Sequence, residues 1–451
     1  MAITYKPHIW SGAYNPIVWV ATGGLVALED PKYLIDIYIN GATGATYQLK
    51  QNPNPAGAMV LDVGPIVQSY IELTNYAAEQ DTPTQFKDSA DIVADVWIDI
   101  NMEAWYNAFN VYLTDYVGAG YSQEGGTGPV RVLPAALDYY DSIDHMETST
   151  TNGYFADYIM DGDGKFLKMD SNNINLNIND HHTLSFLNTW DGAAGTYQES
   201  VQGIQIKYYD SSGTLLSGSQ FFQNITGNGG GPQTSDSYVS TIETRDTKMI
   251  TFRCGPKDLT VPNNTSYYTA QAYMKASATT SSSPGTVASE LVKFNIVDED
   301  CAAVHDKVRL SFLNDLGGRD YYNFTKFYEK TTNSKQKKYS QPSLDWSNWL
   351  EPIATTSDKT GNWLRGGNKI FNKTITTQIK MQSDWLSQEQ VDFLGNIPES
   401  SSVWAYIGDV ERPYTVSVDN LVYSYKTVKQ EKLVLVTIEA TLTKINIKQT
   451  I

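Results

Sequence analysis

Cysteine and histidine are the scarcest reactive side chains in this sequence. Its 451 residues hold two cysteines, Cys254 and Cys301, and five histidines, at positions 8, 145, 181, 182 and 305. A small secreted scaffold stapled by disulfides needs more cysteine than that. Pairing of the two stays open, with buried thiols in a protein made in a reducing cytosol as the expectation. Long apolar runs are missing too: no stretch reaches the roughly 18 residues of a membrane-spanning helix, so no membrane insertion is expected. Residues 16–28 are apolar but short, and Gly23 and Gly24 break them. Residues 1–10 lack the basic-then-apolar pattern of an export signal. Charged residues make up 18%, below the usual quarter. The signatures GxSxG, HExxH and the P-loop are absent, and "GNGGG" at 227–231 has no following Lys-Ser/Thr to make it a phosphate cradle. No catalytic, cofactor-binding or metal-ligating residue is therefore assigned, no cofactor is expected, and the chain is not expected to be an enzyme.

What is abundant is tyrosine, with 30 copies, supported by 10 tryptophans. Tyrosine suits half-buried sheets and interfaces, since its ring is apolar and its hydroxyl tolerates water. Strand patterns dominate. "YLIDIYI" (33–39) and "VADVWIDI" (93–100) alternate with period two, and "GIQIKYY" sets Ile204, Ile206 and Tyr208 against Gln205, Lys207 and Tyr209. Turn-forming stretches at 40–45, 52–57, 210–213 and 227–231 separate such runs at roughly ten-residue spacing. The predicted fold is mainly β, with several antiparallel β-sandwich or barrel domains and a few short helices. Three domains are expected: residues 1–165, β-rich with a Gly-rich loop at 116–132; residues 166–300, an immunoglobulin-like sandwich; and residues 301–451, a β-domain with one capped helix.

Two helices are predicted. Residues 63–72 have Pro65 suited to a first turn, followed by Ile66, Val67, Tyr70 and Ile71 at helical spacing. Residues 387–397 have the capping-box pair Ser387 and Gln390, Gly395 as a stop, and Val391 and Leu394 facing inward. Near the C-terminus, Val416 and Val418 lead to Asp419-Asn420, read as a two-residue hairpin turn, with Leu421, Tyr423 and Tyr425 returning. "LVLVTIEATL" then puts Val434, Val436, Ile438, Ala440 and Leu442 on one side, and Ile445 and Ile447 change phase. "SATTSSSPGT" (277–286) reads as a polar loop and "TTNSKQKKYSQPS" (331–343) as a basic, flexible insertion. The pentapeptide Leu-Ser-Phe-Leu-Asn occurs twice, from Leu184 and from Leu310, each copy with a glycine four residues past its asparagine, at Gly192 and Gly318. The reading is one core strand and a tight turn in each of two β-domains; a duplicated unit or coincidence remains open.

Three clusters invite chemistry. His181 and His182 precede a strand, where adjacent residues point opposite ways and cannot readily share one metal, so they are placed on a surface loop. Asp161 and Asp163 have the spacing of a calcium loop. With Gly164 at the obligatory glycine, however, Ile159 stands at the first ligand position and Asp170 at the twelfth, so a tight Asp-Gly turn is preferred. Trp97, Trp105 and Tyr106 beside Asp95 and Asp99 offer the ingredients of a sugar cleft but read as core and interface. The sequons at Asn224, Asn264, Asn323 and Asn372 are ordinary products of loops rich in Asn and Thr.

The net charge is −17 and uneven: residues 301–451 carry 19 Lys+Arg against 16 Asp+Glu, leaving −20 on the first 300. Such a segment repels phosphates, so no direct nucleic-acid binding is expected. Several segments together resemble a known family: "YNPIVW" (14–19), "YLIDIYINGA…YQLKQNPNPAGAMVLDVGPIVQSYIE" (33–72), "GKFLKM" (164–169), "RLSFLNDLGGRDYYNFTKFYEK" (309–330) and "ITTQIKMQSDWLSQEQVDFLGNIPESSSVWAYI" (375–407). In this order they resemble virion structural proteins of tailed bacteriophages, of the sort found in marine and Bacteroidetes-infecting phages. Residues 170–300 are the least family-like part. The resemblance implies an all-β, oligomeric component of the tail, baseplate or neck, made in the host cytoplasm and located in the virion. Its implied partners are further copies of itself in a ring-like homo-oligomer and neighbouring virion proteins. The alternative is a carbohydrate-binding or depolymerising tail protein that contacts the host surface, marked by convergent acids and exposed Trp in a cleft. A bacterial surface adhesin would need an export signal. Because a −20 segment repeated around a ring repels itself, residues 301–451 are expected to carry the ring contacts.

Overall fold

A computed structural model describes residues 2–39, 45–71, 86–88, 94–106, 111–118, 130–148, 153–160, 162–188, 201–223, 248–274, 284–297, 307–341, 367–407, 414–422 and 434–442. The fold is mainly β, built from several antiparallel sheets with a few short helices. The chain divides into two compact units. The first takes Met1–Ala302 together with Ser311–Tyr321 and Glu399–Ser402; the second takes Ala303–Leu310, Tyr322–Pro398 and Val403–Ile451.

The first unit contains two sandwiches. In the N-terminal one, a three-stranded sheet (Ala2–Tyr5, Val18–Thr22, Ala58–Asp62) faces a six-stranded sheet. The larger sheet runs in the order Trp10–Gly12, Val130–Leu133, Ala94–Tyr106, Glu29–Ile39, Tyr47–Gln51, with Val111–Gly118 also on Ala94–Tyr106. Period-two alternation explains the pairing. Tyr33, Ile35, Ile37 and Ile39 on one strand, and Val96, Ile98, Ile100 and Met102 on its neighbour, all point into a core closed by Trp19, Ala21, Met59 and Leu61 from the small sheet. Pro65 does start a helix, but the helix is brief: Gly64–Val67 runs directly into a 3-10 turn, Gln68–Tyr70. Val63 and Val67 are fully buried, while Ile66, Tyr70 and Ile71 only lean on the core.

The second sandwich lays a six-stranded sheet (order Asn173–Leu176, Val292–Ile296, Tyr267–Met274, Val201–Tyr209, Gln220–Gln223, with Thr286–Val287 on Tyr267–Met274) over a three-stranded one. Thr183–Asn188 and Lys248–Arg253 form most of the small sheet, and Phe86–Asp88 from the N-terminal segment completes it. Ile204, Ile206 and Tyr208 are buried on the predicted face. Burial without a partner for its hydroxyl pushes Tyr208 up to about 12. A third apolar cluster spans residue 165, joining Trp10, Leu133 and Phe155 to Leu167, Leu187 and Leu316.

A seven-stranded sheet runs in the order Arg319–Phe324, Val308–Leu313, Val403–Ile407, Tyr414–Val422, Thr437–Leu442, Gly367–Gln382, Phe327–Gln341, and its last five strands lie wholly in the second unit. Val436, Ile438, Ala440 and Leu442 are buried as their alternation predicts. The helix Gln388–Gly395 forms with both arms of the Ser387/Gln390 capping box in place, and it buries Val391, Phe393 and Leu394. Two predictions fail here. Asp419-Asn420 is not a turn: the strand Tyr414–Val422 runs straight through it, and a register shift between Val418 and Asn420 absorbs the extra residue. Pairing with Thr437–Leu442 continues on both sides of that bulge, so two strands' worth of hydrogen bonds outweigh a local turn preference. The supposed flexible insertion at 331–343 is strand as far as Gln341, paired residue by residue with Gly367–Gln382.

Candidate assembly surfaces

The two adjacent histidines singled out for chemistry have structural duties. His182 is buried, not on a surface loop: its ring lies 4.8 Å from that of Tyr321 and 5.3 Å from that of Phe294. His181 Nδ1 sits 2.9 Å from Asp258 Oδ1, which also accepts from the Arg253 guanidinium at 2.7 Å. Backbone bonds from Cys254 and Gly255 to the His182 carbonyl, at 2.9 and 3.0 Å, tie the same two segments together. This His–Asp–Arg set therefore clamps a strand end. The alternation argument explains why the two histidines diverge; it missed that the segment at 180–182 is itself covered by Gly255, which has no side chain to hold it off. Asp161, Cys301, Asn224, Gly192, Tyr423, Tyr425, Ile445, Ile447, and the side chains of Asp95, Trp97, Trp105 and Tyr106 lie outside the described ones. Cys254 is buried in the second sandwich. Among the described residues, no group of three or more His, Cys, Asp or Glu is placed to hold a metal ion.

Both pentapeptides are core strands, with Phe186 and Phe312 fully buried. Their asparagines each tie the strand end to another segment. Asn188 Oδ1 accepts from Val201 N–H across a gap in sequence, at 2.9 Å. Asn314 makes four bonds: its Oδ1 accepts from Leu316 and Gly318 N–H at 3.1 and 2.9 Å, and its Nδ2 donates to Leu167 O and Asp320 Oδ2 at 3.1 and 2.9 Å. Gly318 is required because a Cβ there would stand 1.8 Å from Leu167 O, and Gly317 turns with φ 86°. Asp320 also accepts from Met169 N–H at 2.9 Å. These donors and Lys168 favour its charge, but complete burial outweighs them, with Asp170 adding to the upward push, and the carboxyl rises to about 7.

A polar surface of unusual make-up lies on the helix Tyr139–Glu147. Asp138 caps it, accepting from Asp141 N–H at 2.8 Å. Tyr139 and Tyr140 are 74% and 76% exposed, the most of any large apolar side chain described, and their rings meet edge to face at 5.5 Å. Asp144 and Glu147 are exposed in the last turn, where negative charge opposes the helix dipole. His145 does not offset them. Burial, then His8 at 4.7 Å between ring centroids, holds it down at about 4, and its Nδ1 accepts from Tyr154 N–H at 3.1 Å, so the ring is neutral. Asp315, joined to this segment by Ala136 N–H to Asp315 O, is raised to about 6 by burial and then by Glu399, Asp138 and Asp141. The sequence carries a trace of this face: residues 132–164 hold seven acids and no Lys or Arg.

The opposite chemistry lies on the two-stranded ribbon formed by Phe327–Gln341 and Gly367–Gln382. These strands carry seven lysines against one acid, Glu329, a net +6 on a chain whose total is −17. From Glu329 to Ser340 and from Gly367 to Thr374 every residue is exposed. Lysines along an edge strand discourage indiscriminate strand pairing. Large apolar side chains on the same stretch do not serve that purpose: Tyr339, Ile370 and Phe371 are 47%, 45% and 56% exposed. Phe371 is the residue skipped where the register shifts between Lys337 and Lys338, and its ring lies 6.3 Å from that of Tyr339. Alternation sets Lys335, Lys337 and Tyr339 on one face, with Lys369 directly opposite Tyr339.

No family model matches the chain, and no curated protein matches it. Among solved structures, one that it matches is the tetra-tandem repeat in the extending region of a large adhesion protein. That match has 10% identity, covers 95% of this chain and 78% of the other, and has a TM-score of 0.17, too low for any argument about fold or function.

Proposed function

We propose that this chain is a structural component of a tailed-bacteriophage virion: an oligomeric tail or baseplate protein, of the distal-tail or tail-hub kind, whose work is protein–protein assembly. The observation that carries the assembly reading is the ribbon, a paired, 15-residue strand whose outer part presents cations and aromatic rings to solvent. Exposed rings mixed with charge are the composition of a protein interface rather than of a solubilising surface. The tail or baseplate placement rests on the segment resemblance alone. In this reading the chain performs no catalysis, takes no cofactor, and has itself and neighbouring virion proteins as partners.

The test is the mass and symmetry of the purified chain, by light scattering and negative-stain electron microscopy. Closed rings of identical subunits are expected. A monomer at every concentration up to about 100 µM and at low salt, where interface charge is least screened, refutes self-assembly. Release of reducing ends from host capsule would favour the depolymerase reading instead.

A further inference from the structure

We propose that the basic ribbon of one copy seats on the acidic, tyrosine-bearing face of the helix Tyr139–Glu147 of a second copy, a head-to-tail contact that propagates around the assembly. The inference rests on the assembly reading above and names its two halves. Both surfaces are exposed within one chain, and they complement each other in charge and in apolar content. The donor offers Lys335, Lys337, Lys338, Lys369 and Lys373 around Tyr339, Ile370 and Phe371. The acceptor offers Asp138, Asp144 and Glu147 around Tyr139 and Tyr140. Lysine over tyrosine already occurs in this protein, with Lys293 Nζ 4.2 Å from the Tyr267 ring centroid, and the same cation–ring contact suits ribbon lysines over the exposed tyrosine pair.

Three physical features favour this occupant. The ribbon's +6 stands against −23 on the remainder of the chain, so ribbon lysines brought within a Debye length of another copy's acidic patch attract it, offsetting at contact the repulsion between two chains of −17. Acids in the last turn of a helix are unfavourable on their own, and a cation placed there relieves both the dipole and their mutual repulsion. Donor and acceptor are different patches, so the contact is heterologous, the type that closes into a ring when the rotation permits and otherwise continues as a filament. The arrangement also eases the packing of a −20 segment around a ring, since each acidic segment receives a neighbour's ribbon of +6.

A charge-swap on the full-length chain tests this. The donor variant is Lys335→Glu/Lys337→Glu/Lys338→Glu and the acceptor variant is Asp144→Lys/Glu147→Lys; all five positions are exposed, and circular dichroism checks that each variant folds. Self-association is measured by sedimentation at about 50 and 500 mM salt. Each variant alone is expected to associate at least about tenfold more weakly at low salt, and the two sets combined in one chain are expected to restore association. A photo-crosslinker at position 371 should yield intermolecular adducts with residues 138–147. If the wild type assembles and the donor variant assembles equally well, the ribbon contact is wrong while the assembly reading stands. If the wild type is monomeric throughout, both fall. Adducts joining ribbon to ribbon, or ribbon lysines needed for binding a DNA duplex but not for self-association, also overturn the proposal.

Discussion

Asp320→Asn should make the first unit more stable at neutral pH, by an amount that grows with pH in a defined window. Asp320 is fully buried, and its carboxyl is raised from 3.8 to about 7. The folded state therefore holds a proton that the unfolded chain gives up near pH 4. Its protonated form contributes fully below about pH 4, and stability is lost as pH rises through about 7, above which the loss is constant. Three pH units at about 1.4 kcal/mol each give roughly 4 kcal/mol, with no discount for solvent because the group is enclosed. Asparagine is the same size and cannot ionise, and its oxygen can accept from Met169 N–H and Asn314 Nδ2 as the acid does. Urea unfolding of wild type and variant, followed by tryptophan fluorescence at pH 5, 6, 7 and 8 and constant ionic strength, isolates the effect. The stability difference should rise by about 1.4 kcal/mol per unit to pH 7 and then level. Asp315, raised to about 6, and other titrating groups that do not interact with Asp320 cancel in the difference. A difference that stays flat across this range would show that the carboxylate is accommodated in its charged form, and the reasoning would be wrong.

His145 provides the opposite sign. Held at about 4, against an unfolded value near 6.5, it contributes stability above pH 6.5 that is lost as pH falls toward 4; His145→Asn should therefore reduce the acid sensitivity of melting temperature between pH 4.5 and 6.5. Phe186→Ala and Phe312→Ala should each cost about 3–5 kcal/mol by denaturant unfolding, since both rings are fully enclosed; a loss below about 1 kcal/mol would mean the core closes over the gap. Asn314→Ala removes four hydrogen bonds and strands buried partners, so a loss of about 2–4 kcal/mol is expected, with faster hydrogen exchange at Leu316 and Gly318 as the local readout.

Alternation by itself determined which face of residues 33–39 and 436–442 is buried, because a strand's side chains have a fixed period of two; at 204–209 it placed Ile204, Ile206 and Tyr208 inside, but Gln205 on the face read as wet is buried too. Ser387, Gln390 and Gly395 likewise sufficed for their helix, since capping is settled within four residues of sequence. Where the deciding partner is remote, local reading went astray. Residues 331–341 have no apolar alternation, and what makes them strand is a partner strand, Gly367–Gln382, well downstream; Asp419-Asn420 has turn chemistry, and pairing on both flanks turns it into a bulge. His182 looked exposed because nothing adjacent announces the Phe294 and Tyr321 rings that enclose it. The candidate surfaces divide the same way. Their charges are plain in composition, seven acids without a cation at 132–164 and seven lysines on the ribbon strands. Only folding placed two tyrosines outside among those acids, and set Phe371 beside Tyr339 among those lysines, because exposure is decided by what packs against a segment and not by the segment itself.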